Sequence, residues 1–478
     1  MIVPIKLHLI SRGGKKVGFC DSTGFRNWVT KHYFPRIVAL NNIFKQQICS
    51  KLQKSNLIPG VLITALILTS CASSESTIDA TSTQMPTQLP TSTVSPTPIL
   101  TPTEVILQGS VIIWHTWNDD NDLEVLFQMI YDFRDLHPEV QFDVLYVPFN
   151  DLLPRYEQSV IDGGGPSILI GPDWWGPLLF DSGSIADLSN LVDKAWLESF
   201  NQPALELVSY RQNLIGLPYS LRGVVLYRNQ TIIPTWAETF DDLINSSKEA
   251  TAGEILGAVL DQGFFYSGGH LFGLGGQLMD NNNKPIFNDE YGLAWLDLLS
   301  LFDEAGPTEF NSDNDVNLFK ETRVGYLIEG TWEREILAES IGHENLFIDP
   351  WPAHGGGQLS GFIQSRNLYL NPNIFDDSYQ AVWEFCEFFL SPNYQLHFAN
   401  LGHIPVLLDV DVADSLISQA MVALAGGSPY PPVPEIVIYA QVLDDALRSI
   451  FFDGVPADLA LDQASITILE SLSHTNTE

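Results

Sequence analysis

From Gly109 onward the chain alternates between short apolar runs and longer segments with helical spacing. Residues 110–114 form an apolar run that predicts a buried strand, and apolar positions recur at helical spacing over residues 123–136. Residues 140–147 then alternate between apolar and polar positions, as a half-buried strand does. This succession predicts a β-α-β unit at the start of the ordered part of the chain.

The same alternation of strand and helix patterns continues along the chain. A glycine-rich connection occupies residues 354–361, and no repeat of fixed period is found. Strands that alternate with helices predict an α/β fold with parallel-type sheets. Further helices are predicted at 152–161, 175–181, 290–304, 315–320 and 379–390, and further strands at 167–171, 214–218, 224–229, 324–329 and 367–370.

The N-terminal part has the pattern of an export signal. An apolar run at 57–70 follows Lys51 and Lys54 and ends in Leu68-Thr69-Ser70-Cys71. At about fourteen residues the run is too short to span a bilayer, but it suits the apolar region of a signal peptide. We therefore predict a signal peptide at 51–70; the alternative is a buried N-terminal helix with an incidental cysteine. Residues 1–50 exceed a normal charged leader and are predicted to be a non-native or unstructured extension.

A tether is predicted between the signal and the folded part, at residues 71–108. Residues 73–104 are mostly Ser, Thr and Pro, a composition that cannot form a packed core. These residues would reach about 30 Å as a flexible coil and about 100 Å in polyproline form. Such a length would hold a folded domain away from a membrane.

The charge and the cysteines exclude several classes of protein. Residues 71–478 contain 13 Lys/Arg and 57 Asp/Glu, so their net charge is 13 − 57 = −44. This charge repels phosphate backbones, and we expect no nucleic-acid partner. After cleavage only Cys71 and Cys386 remain; Cys386 lies in an aromatic helical pattern and is predicted to be a buried apolar residue. No motif predicts catalytic residues, a metal site or a cofactor, and we expect a monomer.

Five stretches, in order, resemble one protein family. The family is that of the family 1 extracellular solute-binding proteins of carbohydrate transporters, of which maltose-binding proteins are typical. Two further stretches, 325–332 and 429–435, are similar to those of oligosaccharide binders. The resemblance also identifies Leu68-Thr69-Ser70-Cys71 as a lipoprotein signal, with Cys71 as the lipidation site. The five stretches are residues 111–118, 137–144, 163–175, 215–219 with 226–229, and 391–395 with 402–405.

The resemblance implies a fold of the type II periplasmic binding proteins. In this fold two discontinuous α/β lobes are joined by three crossing segments, and the ligand lies in the cleft between the lobes. The crossings would fall near residues 218–222, 355–362 and 407–411. Lobe 1 would then comprise residues 109–218 plus 362–407, and lobe 2 residues 219–361 plus 408–478.

A sugar-binding site needs exposed aromatic rings for the C–H faces and planar polar groups for the hydroxyls. Trp174 and Trp175 follow a predicted strand, and because two adjacent tryptophans cannot both be buried on one face, one should be exposed. For every aromatic candidate the alternative is a role in core packing or in a structural hydrogen bond. The candidate ligand-binding residues are Trp117, Asn118, Asp119, Asp173, Trp174, Trp175, Tyr219, Arg222, Tyr266, Trp332, Tyr430 and Tyr439.

Two positions depart from the maltose-binding pattern. Arg222 stands where maltose binders carry a glutamate, and Ala440, beside Tyr439, stands where they carry a late tryptophan. A guanidinium group only donates hydrogen bonds, so it suits hydroxyls, carboxylates or an internal ion pair. Maltose, an acidic sugar and a differently linked sugar all stay open.

The resemblance implies a receptor on the outer side of the cytoplasmic membrane, at the cell surface or in a periplasm. Its only attachment to the membrane would be the lipid at Cys71. The receptor would close around a carbohydrate, which the two further stretches predict to be an oligosaccharide, and deliver it to the permease subunits of an ABC importer. The alternatives are a receptor of the same fold for a non-sugar ligand or for sensing, and an exported carbohydrate-active enzyme that uses paired carboxylates.

Overall fold

The computed structural model describes residues 106–374 and 378–475. The predicted extension at 1–50, the signal peptide at 51–70, the lipidation site Cys71 and the tether up to residue 105 lie outside the described residues. Most predicted helices and strands within the described ranges are found, several of them with bounds within three residues of the prediction.

The described residues form helices and one 3-10 turn, at Thr331–Glu333. Asp119 begins the first helix as its N-cap, with its side chain accepting a hydrogen bond from the Asn121 amide. The helices are α1 (Asp120–Leu136), α2 (Phe149–Ile161), α3 (Trp175–Asp181), α4 (Lys194–Leu197), α5 (Gln202–Glu206), α6 (Phe240–Ala250), α7 (Phe264–Ser267), α8 (Gly269–Gly273), α9 (Glu290–Ser300), α10 (Phe302–Ala305), α11 (Asn314–Lys320), α12 (Arg334–Ile341), α13 (Ser378–Phe389), α14 (Pro392–Ala399), α15 (Ser415–Ala425), α16 (Ile436–Phe451) and α17 (Ala457–Thr475).

The strands are β1 (Gly109–His115), β2 (Val140–Tyr146), β3 (Ile168–Pro172), β4 (Ser209–Tyr210), β5 (Asn213–Leu214), β6 (Leu217–Asn229), β7 (Leu256–Asp261), β8 (Thr308–Glu309), β9 (Val324–Gly330), β10 (Leu346–Asp349), β11 (Ala353–His354), β12 (Gly357–Gln358), β13 (Phe362–Leu370) and β14 (Ser428–Pro429). The main sheet has the order β2-β1-β3-β13-β6-β9-β7-β8, with β10 beside β6 and β14 beside β13.

The sheet is mixed, so the prediction of a parallel-type sheet is correct only for its outer parts. β1 runs parallel to β2 and β3, and β7 runs parallel to β8 and β9. In the middle, β13 runs antiparallel to both β3 and β6, and β6 runs antiparallel to β9. The α/β fold class itself is confirmed.

The central strand β6 is longer than the sequence pattern predicts. Two strands were expected, at 214–218 and 224–229, but Leu217–Asn229 is one continuous strand. Its first part pairs with β13 and its second part with β9 and β10. The polar and glycine positions that interrupt the apolar pattern therefore remain in the strand because neighbours on both sides bond to it. At Gly223 a side chain is excluded, since a Cβ atom would lie 2.6 Å from the carbonyl oxygen of Phe362.

Two other boundaries differ from the predictions. The helix expected at 290–304 is divided at Leu301 into α9 and α10. The strand expected at 367–370 begins five residues earlier, at Phe362, because β6 pairs with this extra length. The glycine-rich connection contains the short β11–β12 hairpin, whose turn places Gly355 and Gly356 at φ values of 57° and 84°.

Buried apolar side chains form a large cluster around β1, β3, β13 and the first part of β6, and a second around α9, α16 and α17. Cys386 is fully buried in the first cluster, which confirms its prediction as a buried apolar residue. The described residues from Ile106 onward belong to one compact unit, and the lobe boundaries stay a prediction. Within the described ranges no helix has the length and apolar character needed to cross a membrane.

Candidate ligand-binding site

Several predicted site residues lie where strands of the sheet end. Asp173 and Trp174 follow β3, Tyr266 lies in the short helix after β7, and Trp332 lies in the 3-10 turn after β9. In α/β sheets the carboxyl ends of strands are the usual place for ligands, because the loops there leave a crevice. We call the group formed by Asp173, Trp174, Arg222, Phe265, Trp332, Gln364 and Tyr430 the junction site.

Aromatic rings form one side of the junction site. The ring of Phe265 lies 6.1 Å from that of Trp332 and 5.6 Å from that of Tyr430, measured between centroids. Tyr430 in turn packs edge-on against Phe362, the first residue of β13, at 5.1 Å. Trp332 and Phe265 are both half-buried, so these two keep part of their ring surface exposed. Such surfaces can pack against the C–H faces of a sugar.

Polar side chains on β6 and β13 form the floor of the junction site. Arg222 and Gln364 lie directly opposite each other in the antiparallel pair, and Arg222 Nη2 donates a hydrogen bond to Gln364 Oε1 at 3.0 Å. The guanidinium carbon of Arg222 also lies 5.7 Å from the ring centroid of Trp332, within the range of a cation–π contact. Arg222 therefore connects the polar floor to the aromatic side.

Asp173 is buried next to this floor. Its Oδ1 accepts a hydrogen bond from the Trp174 amide at 2.9 Å, and its Oδ2 accepts one from the Ser365 amide at 3.1 Å. Burial raises the pKa of Asp173 to about 6, although the charge of Arg222 and the backbone donors act in the opposite direction. Asp173 thus connects the end of β3 to β13 next to the floor of the junction site.

The adjacent tryptophans take different environments, as the sequence predicts. Trp175 is fully buried and covers β3 so closely that a Cβ atom at Gly171 would lie 2.4 Å from its ring. Trp174 is half-buried and packs against Phe149 and Trp175 at ring distances of 6.2 and 5.8 Å. Of the pair, Trp174 is the one that a ligand can reach.

Four of the predicted ligand-binding residues are buried by apolar packing. Trp117 and Tyr219 are buried together among Phe389 and Phe398, and Trp117 Nε1 donates a hydrogen bond to the Tyr219 hydroxyl. Tyr439 is fully buried and its hydroxyl donates to the carbonyl oxygen of Asn283. Apolar neighbours cover the ring faces that a stacked sugar would need to contact. The four buried side chains are Trp117, Trp175, Tyr219 and Tyr439, and their roles in ligand binding stay predictions.

Of the remaining predicted residues, Asn118, Asp119 and Tyr266 lie outside the group named as the junction site, and Tyr430 belongs to it. Asn118 is exposed and Asp119 is half-buried at the start of α1, where Asp119 Oδ1 accepts the Asn121 amide at 2.8 Å. Tyr266 and Tyr430 are largely buried, and Tyr266 packs edge-on against Phe265 at 5.5 Å. Roles of these four residues in ligand binding stay predictions.

Sequence reasoning missed three residues of this region. Gln364 and Arg366 lie in the part of β13 that precedes its predicted start, so their alternation along one strand face was not recognised. The charge of Arg366 acts on the Tyr219 hydroxyl and lowers the pKa of that group, against the larger effect of burial. The signal that could have found Phe265 is its position immediately before the candidate Tyr266.

Three carboxyl groups are buried near the ends of β7 and β9 and at the start of α11. Asp261 ends β7, Glu329 precedes the last residue of β9, and Asp315 lies in the first turn of α11. Burial raises the pKa of Asp261 to about 7 and that of Asp315 to about 8, with further increases from neighbouring carboxylates. Burial likewise raises the pKa of Glu329 well above its ordinary value. In the ranges 106–374 and 378–475, no group of three or more His, Cys, Asp or Glu side chains is placed to hold a metal ion.

Solved structures of sugar-bound proteins share this fold. The extracellular solute-binding protein from Staphylococcus aureus in complex with maltose superposes with a TM-score of 0.70 at 18% identity, over 77% of this chain and 98% of that chain. A cyclo/maltodextrin-binding protein complexed with maltotetraose gives 0.66 at 20% identity, over 76% and 97%. The cyclic α-maltosyl-1,6-maltose binding protein from Arthrobacter globiformis gives 0.65 at 18% identity, over 76% and 98%. The fold is therefore that of the type II periplasmic binding proteins.

The family follows from the sequence itself. The chain belongs to the bacterial extracellular solute-binding protein family, whose model matches residues 123–396. It is a solute-binding protein and not an enzyme. No curated protein matches the chain in sequence.

Proposed function

We propose that this protein captures a carbohydrate outside the cytoplasmic membrane and delivers it to the permease subunits of an ABC importer. The ligand is a sugar, most simply an oligosaccharide, bound at the junction site. The protein is held at the membrane by a lipid on Cys71, and residues 71–108 are the tether. The similar solved structures contain maltose and maltotetraose, which supports a sugar as the ligand class.

The observation that carries the proposal is the meeting of aromatic and polar side chains at the strand ends. Trp332 and Phe265 offer partly exposed rings, while Arg222 and Gln364 offer planar polar groups within the same contact network. A sugar presents alternating C–H faces and hydroxyl edges, so it requires both kinds of group side by side.

A receptor that closes around its ligand needs segments that connect its two lobes and that can bend. β6 changes partners within one strand, from β13 to β9 and β10, so it connects the two ends of the sheet. The segment at 404–407 runs beside it, with the Leu221 amide donating to the carbonyl oxygen of Ile404 at 2.8 Å. The buried side chain of Gln395 joins both segments, because it donates to the Tyr219 carbonyl and accepts from the Val406 amide. A ligand that contacts both ends of the sheet would favour the closed arrangement.

A thermal-shift panel tests the ligand class. The purified protein is heated with monosaccharides, neutral oligosaccharides and uronic acids, and with spermidine, metal ions and peptides as non-sugar compounds. We expect at least one sugar to raise the melting temperature, because a ligand that binds only the folded state stabilises it. A panel in which only non-sugar compounds raise the melting temperature contradicts the proposal and supports a receptor for another solute.

The lipid anchor has its own test. Cells that express the full chain are labelled with radioactive palmitate, and we expect label in the wild-type protein and none in Cys71→Ala. Cys386→Ala is the matched control, since that cysteine is buried and should not affect labelling. Labelling that persists in Cys71→Ala would place the lipid elsewhere, and the absence of label in both proteins would remove the anchor.

A further inference from the structure

The floor of the junction site holds two of the few basic residues of the folded chain. Residues 71–478 contain only 13 Lys/Arg against 57 Asp/Glu. Arg222 lies on β6, and Arg366 lies on β13 two residues beyond Gln364, the direct partner of Arg222. Since alternate residues of a strand point to the same face, Gln364 and Arg366 share the face that Arg222 occupies. Arg366 forms a side-chain hydrogen bond with the Tyr219 hydroxyl, and Arg222 is the basic residue that lies beside Gln364 and Trp332.

Arg222 is oriented by two neighbours. Gln364 is only 4% exposed, and its Oε1 accepts the hydrogen bond from Arg222 Nη2 at 3.0 Å. The guanidinium carbon lies 5.7 Å from the Trp332 ring centroid. One end of the guanidinium group is thus held by an amide and one side by an indole ring. Gln364 is a positioning residue in this arrangement, because it acts through Arg222.

The acid next to Arg222 is bound by the backbone. Asp173 is 3% exposed, and each of its carboxylate oxygens accepts a backbone amide, from Trp174 and from Ser365. Its burial raises its pKa to about 6, so the surroundings oppose its negative charge. Asp173 therefore serves the junction of β3 with β13 through its two backbone contacts, while its charge lies close to that of Arg222.

A fixed guanidinium group has a preferred ligand chemistry. It only donates hydrogen bonds, and its planar fork matches the two oxygens of a carboxylate. The large negative charge of the whole chain does not prevent such binding at physiological salt, because charges further away than about 8 Å are largely screened. Neutral hydroxyls can also accept from a guanidinium group, but a carboxylate gains the charge interaction as well.

We propose that the junction site selects sugars that carry a carboxylate, such as uronic acids. Arg222 binds the carboxylate, and Gln364 positions the guanidinium group of Arg222. This inference rests on the proposed function, because it names the class of sugar bound at the same site. The protein would then be a receptor for acidic saccharides and not for sugars in general.

Calorimetric titration of the purified protein tests the inference with matched ligands. The probes are oligogalacturonates, oligoalginates and glucuronic acid-substituted xylo-oligosaccharides, each compared with its carboxyl-reduced, neutral form. We expect at least one acidic sugar to bind ten-fold or more tightly than its reduced form. Arg222→Gln should bring this ratio close to one, and Arg222→Lys should leave an intermediate ratio because it keeps the charge but loses the fork.

Gln364→Glu should change the ratio of acidic to neutral affinity, which a purely structural role of Gln364 would leave unchanged. This substitution keeps the size of the side chain but places a carboxylate on Arg222, so it should lower the ratio of acidic to neutral affinity by ten-fold or more. Arg155→Gln is the matched control, because Arg155 also stacks on a tryptophan, 4.9 Å from the ring centroid of Trp114, but lies outside the junction site. We expect Arg155→Gln to leave the ratio unchanged.

The outcomes separate this inference from the proposed function. If neutral sugars bind and every acidic form binds no more tightly than its reduced partner, the acidic-sugar inference is overturned and the sugar receptor stands. The inference is equally overturned if the ratio survives both Arg222→Gln and Gln364→Glu in folded variants. If no saccharide binds at all, both the inference and the proposed function fail.

Discussion

The indole Nε1 of Trp117 donates a hydrogen bond to the hydroxyl of Tyr219, 3.2 Å away, inside the core of the protein. The two rings lie 5.8 Å apart in an edge-on arrangement, and both also pack against Phe389 and Phe398. Tyr219 lies on β6 and Trp117 lies just after β1, so the pair connects the central strand to the first β-α-β unit. The buried pair therefore stabilises the core, and its part in ligand binding stays a prediction.

Removing the Tyr219 hydroxyl should therefore reduce stability and not affinity. In Tyr219→Phe the buried indole N–H loses its acceptor, and we expect a loss of about 1–3 kcal/mol in the free energy of unfolding. Urea unfolding measures the change, with Tyr131→Phe as the control because Tyr131 is an exposed tyrosine on α1. A Tyr219→Phe protein of unchanged stability but weakened ligand binding would return this residue to the ligand surface.

The stability of the protein should fall as the pH rises from 6.5 to 8, above the range in which the buried His115 and His270, with pKa values lowered to about 4, act in the opposite direction. Burial raises the pKa of Asp261 from 3.8 to about 7 and that of Asp315 from 3.8 to about 8. In this range the folded protein holds protons that the unfolded chain has lost, so the contribution to stability is complete below about pH 4 and disappears as the pH passes 7 and 8. Urea midpoints at pH 6.5 and 8 check the expected decrease.

Asp315→Asn isolates one of these groups. The amide keeps an acceptor for the Val316 amide, which Asp315 Oδ1 binds at 2.7 Å, but it cannot ionise. We expect the variant to be more stable than the wild type at pH 8, on the order of 1–3 kcal/mol, and to show a flatter pH profile. Asp313→Asn, at an exposed position of the same segment, should follow the wild type. A wild-type midpoint that increases between pH 6.5 and 8 would contradict the raised pKa values.

The ion pair between Arg228 and Asp349 should be far more sensitive than surface pairs. Arg228 Nε and Nη2 donate to the two oxygens of Asp349 at 2.6 and 3.1 Å, and the side chains are only 6% and 5% exposed. Asp349→Ala leaves a buried guanidinium group without its partner, which should cost about 3–5 kcal/mol in the free energy of unfolding.

A surface pair provides the comparison for this prediction. Lys248 and Glu304 lie 2.7 Å apart, but both side chains are 51% exposed, so Glu304→Ala should cost about 0–1 kcal/mol. Chemical unfolding of both variants under the same conditions gives the two values. Equal losses in the two variants would mean that the buried pair is not the special feature of the β6–β10 contact.

Local patterns predict much of this fold because they depend on neighbours in sequence. Helix α3 (Trp175–Asp181) is found at its predicted bounds, and β1 and α1 extend only a few residues beyond theirs. β6 and β13 are different, since polar residues such as Arg222 and Gln364 interrupt their apolar patterns. Their length depends on pairing between segments that lie more than a hundred residues apart, which no local window contains.

The site was predictable where its residues follow strands, and less so elsewhere. The sequence offers Trp174 and Trp332 as candidates because each comes just after an apolar run, and the structure places both, half-buried, beyond the ends of β3 and β9. Trp117 and Tyr219 have the same kind of position, but long-range packing against Phe389 and Phe398 buries them. Gln364 was missed because the sequence pattern predicts a strand that begins only at residue 367, whereas β13 begins at Phe362.

The most direct test of the central claim is the affinity of the Trp332→Ala protein for a sugar that stabilises the wild type. Loss of the half-buried ring should weaken binding by ten-fold or more, because stacking against the sugar and the contact with Arg222 are both removed. Trp236→Ala, at a tryptophan that is 43% exposed outside the junction site, should bind as the wild type does. Calorimetric titration decides between two results: a selective loss in Trp332→Ala supports a carbohydrate site at the junction, and equal affinity in all three proteins contradicts it.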